Sequence, residues 1–273
     1  MSLLKGKKLA VLGAGRLGET LIRGLLAADA VDAGHVTVTA GHAERVRALE
    51  QRHKVRGAAS NAEAARAADI VLLAVKPQTV PVVLGEIAPV LNRDQLLISV
   101  AASVSLALLQ KPLAPDVPVI RAMPNTPALI EKGMTGLAPG SHASPAHVAL
   151  AERIFGAVGR TRVLDEKHMD AVTGLSACGP AFIYIVIESL AEAGVKVGLP
   201  RDVATELAAQ TVLGAGAMVL ETGEHPARLK DLVTTPAGCT IDGILELEEG
   251  GLRVTLIKAV VRSTERAREL LEG

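Results

Sequence analysis

Residues 8–18 read Lys8-Leu9-Ala10-Val11-Leu12-Gly13-Ala14-Gly15-Arg16-Leu17-Gly18, a short apolar run that passes into a GxGxxG turn. The run has the length of a buried strand, and the segment after it, Arg16–Ala28, carries helical periodicity. Each glycine has a physical reason in such a strand–turn–helix unit. Gly13 permits the tight turn, Gly15 lets a pyrophosphate approach the backbone, and Gly18 lets the helix pack closely on its strand. The first helical amides and the positive end of the helix dipole then face the phosphates. Glycine spacing alone is a weak signal. Here a second strand-like run at His35–Ala40 and a helical segment at Ala43–Arg52 stand where a βαβ unit needs them. The stretch predicts a dinucleotide site.

Outward from it, short apolar runs recur at Ile70–Val75, Leu96–Val100 and Val117–Met123, with a later pair at Met134–Leu137 and Thr161–Leu164. Strands alternating with helices predict a parallel sheet covered on both faces. After about residue 164 the strand signal ends. Helices are expected at Ala181–Val197, Arg201–Glu221, Pro226–Val233, Thr240–Glu249 and Leu252–Glu272. The fold class is therefore α/β, a Rossmann-type dinucleotide-binding domain over residues 1–163 followed by an all-α domain over 164–273. Ala181–Ile187 and Thr211–Leu220 offer little polar surface. Helices apolar on most sides need cover on most sides, so the second domain is expected to bury them between subunits.

Composition narrows the function. Of 273 residues, 49% are hydrophobic and 21% charged, and basic and acidic side chains balance at 29 each. No basic field recruits nucleic acid, and with Phe155, Phe182 and Tyr184 as the whole aromatic complement, no platform exists for stacked bases. The balance hides an asymmetry: 19 basic against 12 acidic side chains up to residue 163, and 10 against 17 beyond it. That is either drift or the mark of an anionic ligand on the first domain. Two cysteines, Cys178 and Cys239, without metal-ligand spacing, point to a reducing, cytoplasmic setting and to no metal. The uncharged stretches Gln95–Gln110 and Ala171–Ile187 are broken by polar residues, or by Gly174 and Gly179-Pro180, short of about 20 continuous apolar residues. No membrane span is expected.

An NAD site carries an acid at the end of its second strand. Here the strand ends Thr37-Val38-Thr39-Ala40-Gly41-His42, without one, and Arg45 and Arg47 follow. This favours a 2′-phosphate, hence NADPH with NADH as the alternative, unless the arginines form a solvated helix face. Further motifs stand where parallel sheets bind ligands: Ala74-Val75-Lys76-Pro77-Gln78 and Met123-Pro124-Asn125-Thr126-Pro127 follow two of the strands. In the helical half, Thr234-Thr235-Pro236-Ala237-Gly238-Cys239-Thr240-Ile241 leads small residues into a helix start, with Thr240 near the N-cap. Such a loop presents free amides and a hydroxyl to an anion, or simply caps a helix. Glu166 and Asp170, four apart, are expected to be a cap or a solvated face.

Taken in order, GAGRLG, AVKPQ, RAMPNTP, LSACGPAF, AEAGVKVGL, QTVLGAGAM and LKDLVTTPAGCTI resemble the pyrroline-5-carboxylate reductases over essentially the whole chain. The TTPAGCTI segment carries the resemblance most specifically. Two departures stand beside it. The family commonly reads SGSGPAY where this chain has Ser176-Ala177-Cys178-Gly179-Pro180-Ala181-Phe182, and two glycines where it has Ala237-Gly238. The resemblance implies NAD(P)H-dependent reduction of Δ1-pyrroline-5-carboxylate to L-proline by a homodimer or an assembly of dimers. It places the pyrophosphate on Gly13–Gly18. Asn61, Lys76 and Asn125 would line the cofactor, with His42, Arg45, Ala74, Val75, Pro77 and Met123 around it. The substrate carboxylate would meet the Ala237, Gly238, Cys239 and Thr240 backbone, and the Thr240 hydroxyl would be the catalytic donor to the ring nitrogen. Two alternatives are a β-hydroxyacid or other imine reductase, and an NADP-binding sensor without turnover. The first leaves TTPAGCTI unexplained, and the second does not require Thr240.

Overall fold

The computed structural model describes residues 4–272. Eight strands form one sheet: β1 Leu9–Leu12, β2 Val36–Val38, β3 Arg56–Gly57, β4 Ile70–Leu73, β5 Leu96–Ser99, β6 Val119–Met123, β7 Gly133–Pro139 and β8 Gly159–Val163. Their order is β3-β2-β1-β4-β5-β6-β7-β8. The first six are parallel, in the arrangement of a dinucleotide-binding sheet. β7 departs from the parallel sheet expected, running antiparallel to β6 with β8 parallel to it. The cause is connection length: β6 and β7 are joined through the short 3-10 turn Thr126–Ile130, which cannot make a crossover. The two-residue β3 is too short to leave a pattern in the sequence.

The helices of this part are α1 Arg16–Ala27, α2 Ala43–His53, α3 Asn61–Arg66, α4 Val80–Ile87, α5 Leu106–Gln110, α6 Pro145–Gly156 and α7 Met169–Val172. Strand residues alternate between two buried layers. Leu9, Val11, Ile70 and Leu72 meet Leu21, Ile22 and Leu25 of α1 and Phe155 of α6 on one face. Ala10, Leu12, Val71 and Leu73 meet Val83 and Leu84 of α4 and Leu109 of α5 on the other. Burial on both faces is why these strands read as continuous apolar runs.

The remaining helices are α8 Gly179–Lys196, α9 Arg201–Thr222, α10 Pro226–Leu232, α11 Cys239–Glu249 and α12 Leu252–Glu272. By contacts the chain forms two compact units, one running to Ala177 and including Ser263 onward, the other Cys178–Arg262. The first unit thus reaches past residue 163, because Met169 is buried in its core and Val172 packs beside it. The apolar stretch expected to be broken at Gly174 and Gly179-Pro180 changes its helical form there. A π turn at Thr173–Ala177 carries the chain into α8, with Pro180 in its first turn, where a missing N–H costs little. The runs Glu166–Lys196 and α9 are long and apolar enough to cross a membrane by length and composition. In the second unit α8 and α9 approach closely at Gly194, where a Cβ would lie 2.9 Å from Ala204 Cβ. Their larger apolar side chains, including Ile183, Ile185, Leu207, Leu213 and Leu220, remain exposed.

Candidate functional site

The turn after β1 decides the geometry of the first unit. Gly13 has φ +78°, and a Cβ there would lie 2.3 Å from Val75 Cγ1 and 3.1 Å from the Val75 backbone. The glycine loop therefore runs directly against the Ala74-Val75-Lys76 segment that leaves β4. β1 and β4 flank the point where strand order reverses, the crevice in which open parallel sheets take ligands. Gly15 is glycine for a different reason. Its Cβ would meet only the Gly13 carbonyl oxygen, at 3.9 Å, so no internal contact requires it. α1 starts at Gly15 without a side-chain cap, leaving its first amides for a ligand. Open room beside uncapped amides fits a diphosphate.

Hydrogen bonds gather other predicted residues at this edge. Thr39, after β2, accepts from Ala14 N through its carbonyl (2.8 Å) and from Gly13 N through its hydroxyl (3.4 Å). The same hydroxyl donates to Asn61 Oδ1 at 2.5 Å, and Asn61 Nδ2 donates to Glu86 at 2.7 Å. Thr39 and Glu86 are site-shaping residues that the sequence reading did not single out. Lys76 is exposed and caps the 3-10 turn begun by Pro77. Met123 is buried at the end of β6. Asn125 accepts from Met134 N (2.8 Å) and donates to Ser176 O (3.1 Å), so its amide fastens β6, β7 and the π turn together.

Arg45, expected near a 2′-phosphate or on a solvated helix face, is hydrogen-bonded inside the protein. Its Nε donates to Ala14 O at 3.0 Å, and Nη2 donates to Gly15 O at 3.1 Å and to Glu19 at 2.6 Å. Arg52 (2.7 Å) and His53 (2.9 Å) complete the shell around Glu19. Partial burial pushes the Glu19 carboxyl up, but hydrogen bonds from His53, Arg45 and Arg52 outweigh it and hold the pKa at about 2. His42 and Arg47 remain exposed on the same stretch. Glu166 and Asp170 are not a solvated face either. They pair with the buried Arg121 of β6 at 3.3 and 3.4 Å, and Glu166 also accepts from Leu106 N at 2.6 Å. A buried guanidinium needs such partners.

In the second unit, the loop before α11 brings Ala237, Gly238, Cys239 and Thr240 into one turn. Ala237 has φ +58°, a left-handed backbone that favours glycine. Gly238 is the N-cap, with no side-chain capping bond, and Thr240 is the second residue of the helix. Thr240 thus lies inside the helix and does not cap it. The Gly238 amide donates to Thr235 O at 3.0 Å, which leaves Cys239 and Thr240 as the amides at the helix start. Crowding by Thr235 Oγ1, 2.4 Å from a Cβ at position 238, keeps that place small.

The sequence matches two family models, "Pyrroline-5-carboxylate reductase dimerisation" over residues 166–270 and "NADP oxidoreductase coenzyme F420-dependent" over residues 8–103. It is 42% identical over 267 residues to the pyrroline-5-carboxylate reductase of Methanosarcina acetivorans, covering 98% of this chain and 99% of that one. The structure superposes on that of a pyrroline-5-carboxylate reductase from Coxiella burnetii with a TM-score of 0.92 at 34% identity, covering 97% and 98% of the two chains. The Plasmodium falciparum pyrroline carboxylate reductase, solved with NADP bound, matches with a TM-score of 0.86 at 30% identity, covering 97% and 98%. The chain belongs to the pyrroline-5-carboxylate reductase family.

Proposed function

We propose that this member of the family reduces Δ1-pyrroline-5-carboxylate to L-proline with NADPH or NADH. In this reading Gly13–Gly18 hold the pyrophosphate, and Asn61, Lys76 and Asn125, with His42, Ala74, Val75, Pro77 and Met123, line the cofactor. The observation that carries the substrate assignment is the uncapped start of α11, with Thr240 one residue inside it. The Cys239 and Thr240 amides receive the substrate carboxylate, aided by the helix dipole.

When bound, the reduced nicotinamide supplies the hydride that converts the C=N bond into the C–N bond of proline. The protein's share is orientation. A cyclic imine protonated on nitrogen is already an electrophile, so no strong acid is required. The Thr240 hydroxyl stands at the ring nitrogen, accepting from the iminium N–H and then donating to the lone pair that nitrogen gains as hydride adds, and so holds the substrate in register as it becomes an amine.

A homodimer, or an assembly of dimers, belongs to this reading. It is supported by the dimerisation-family match and by the exposed apolar faces of α8 and α9, which a second copy would cover. A cytoplasmic home is supported by two free thiols, Cys178 and Cys239. The test is cofactor oxidation with Δ1-pyrroline-5-carboxylate, with L-proline identified as product. Thr240→Ala is expected to lower kcat by ~10- to 1000-fold, on the scale of lost positioned donors, while Thr240→Ser keeps most of it. Unchanged turnover in the alanine variant removes Thr240 from the mechanism.

A further inference from the structure

We propose that Glu19 sets the cofactor preference of this chain, by tying up the Arg45 guanidinium that a 2′-phosphate would otherwise engage. The inference rests on the assignment of Gly13–Gly18 as the dinucleotide loop. Arg45 is the third residue of α2, directly after β2, where an arginine accommodates the 2′-phosphate of NADP in such folds. In this structure three of its hydrogen bonds are made inside the protein, to Ala14 O, Gly15 O and Glu19 Oε2. A guanidinium has five N–H donors in a fixed fork; these bonds occupy its Nε–Nη2 edge, and turning that edge onto a phosphate for a two-point contact would break the short Glu19 bond.

Glu19 is built to stay charged. Its second oxygen is held by Arg52 and His53, and its pKa of about 2 keeps it ionised at any physiological pH. The carboxylate acts as an internal anion, holding the Nε–Nη2 edge of Arg45 on the glycine loop and opposing a phosphate that carries about −1.5 to −2. NAD, with a hydroxyl at that position, is not opposed. Glu19 is therefore a positioning residue, with its effect on affinity ratio and not on the hydride step.

The test is calorimetric titration of the full chain with NADP+ and with NAD+ separately. For Glu19→Gln the ratio of NADP+ to NAD+ affinity is expected to rise roughly tenfold, about 1.4 kcal/mol. Glu19→Asp, which keeps the charge, should stay near the parent. In Glu19→Gln/Arg45→Gln the rise should vanish, because no guanidinium is left to release. A ratio that is unchanged or lower in Glu19→Gln, or a rise that persists in the double variant, overturns the proposal. Arg45→Gln alone tests it without disturbing the carboxylate: a change in ratio below about threefold agrees, whereas a tenfold loss of NADP+ preference shows that Arg45 already serves the phosphate and refutes it. A parent chain that binds neither nucleotide defeats the dinucleotide assignment itself. A parent that binds both with no response in Glu19→Gln defeats only the role given to Glu19.

Discussion

The turn before α1 and the turn before α11 both end in a glycine N-cap, Gly15 and Gly238, and neither helix has a side chain over its first amides. They differ in what holds them. The first is braced by the sheet: Val75 lies against Gly13, Thr39 bonds to the backbone of Gly13 and Ala14, and Arg45 reaches Ala14 and Gly15. The second holds itself through the Gly238–Thr235 bond, places alanine at a left-handed residue, and belongs to helices whose large apolar side chains face outward. One turn is shaped by a core that a single chain completes. The other depends on local backbone and on whatever covers those helices.

If that contrast is right, adding one methyl group should cost far more in the first turn. Gly13→Ala meets a 2.3 Å clash with Val75 Cγ1, a backbone contact of 3.1 Å and a left-handed φ. Overpacking and the left-handed penalty together predict a loss of roughly 3–5 kcal/mol. Gly238→Ala also meets backbone at 3.1 Å, the Thr235 carbonyl oxygen, but its closest neighbour is the Thr235 hydroxyl, which can rotate, and its φ of −80° suits an L side chain. A cost of about 1 kcal/mol is expected there. Urea unfolding of the two variants measures both. Equal losses would mean that the second turn is as firmly braced as the first.

The contrast also explains what could be read in advance. Gly13–Gly18, the sheet strands and the helix succession were legible because strand period, helix period and glycine spacing are local patterns. The antiparallel β7 was not, since strand direction follows from the reach of Pro124–Lys132 and not from its composition. Nor were the Glu19 cluster, whose members Arg45, Arg52 and His53 are 26 to 34 residues away, or the pairing of Glu166 and Asp170 with Arg121. Ionic partners at such separations are joined by the fold, and no periodicity announces them. Thr39 stood in plain view at the end of β2, but its place beneath the glycine loop needed the parallel register of β1 and β2.

Acid should separate the two units in the same way. Glu19 has its folded pKa lowered from 4.5 to about 2, so its stabilisation is complete above the unfolded value and is lost as pH falls from about 4.5 through 2. Discounted for solvent screening, a carboxylate held this far down contributes on the order of 1–2 kcal/mol at neutral pH. The stability gap between the parent and Glu19→Gln should therefore shrink across that window in urea midpoints measured against pH. In the second unit Glu248 is also held low, first by its hydrogen bond from Arg253, but it is fully exposed and should add no comparable acid dependence. A gap that stays constant down to pH 2 would mean that the shell around Glu19 leaves its carboxyl unshifted.

The smallest effect is the most pointed. Ala237 occupies a backbone conformation, φ +58°, that an L side chain adopts at a cost of about 1–2 kcal/mol, while glycine adopts it freely. Ala237→Gly removes that strain but also loosens the unfolded chain, so a net gain of roughly 0.5–1 kcal/mol is expected. This is the reverse of the exchange at Gly13, where the sheet leaves no room for a methyl group. At Ala237, which is exposed, the local backbone alone sets the cost. If the strain serves to hold the Cys239 and Thr240 amides ready, KM for the imine should rise two- to fivefold in the stabilised variant, on the scale of a few tenths to about 1 kcal/mol of lost preorganisation, with kcat unchanged. Greater stability with an unmoved KM would mean that the alanine is only tolerated. Lower stability would mean that contacts outside the turn have already compensated the left-handed residue, and that the second turn is braced after all.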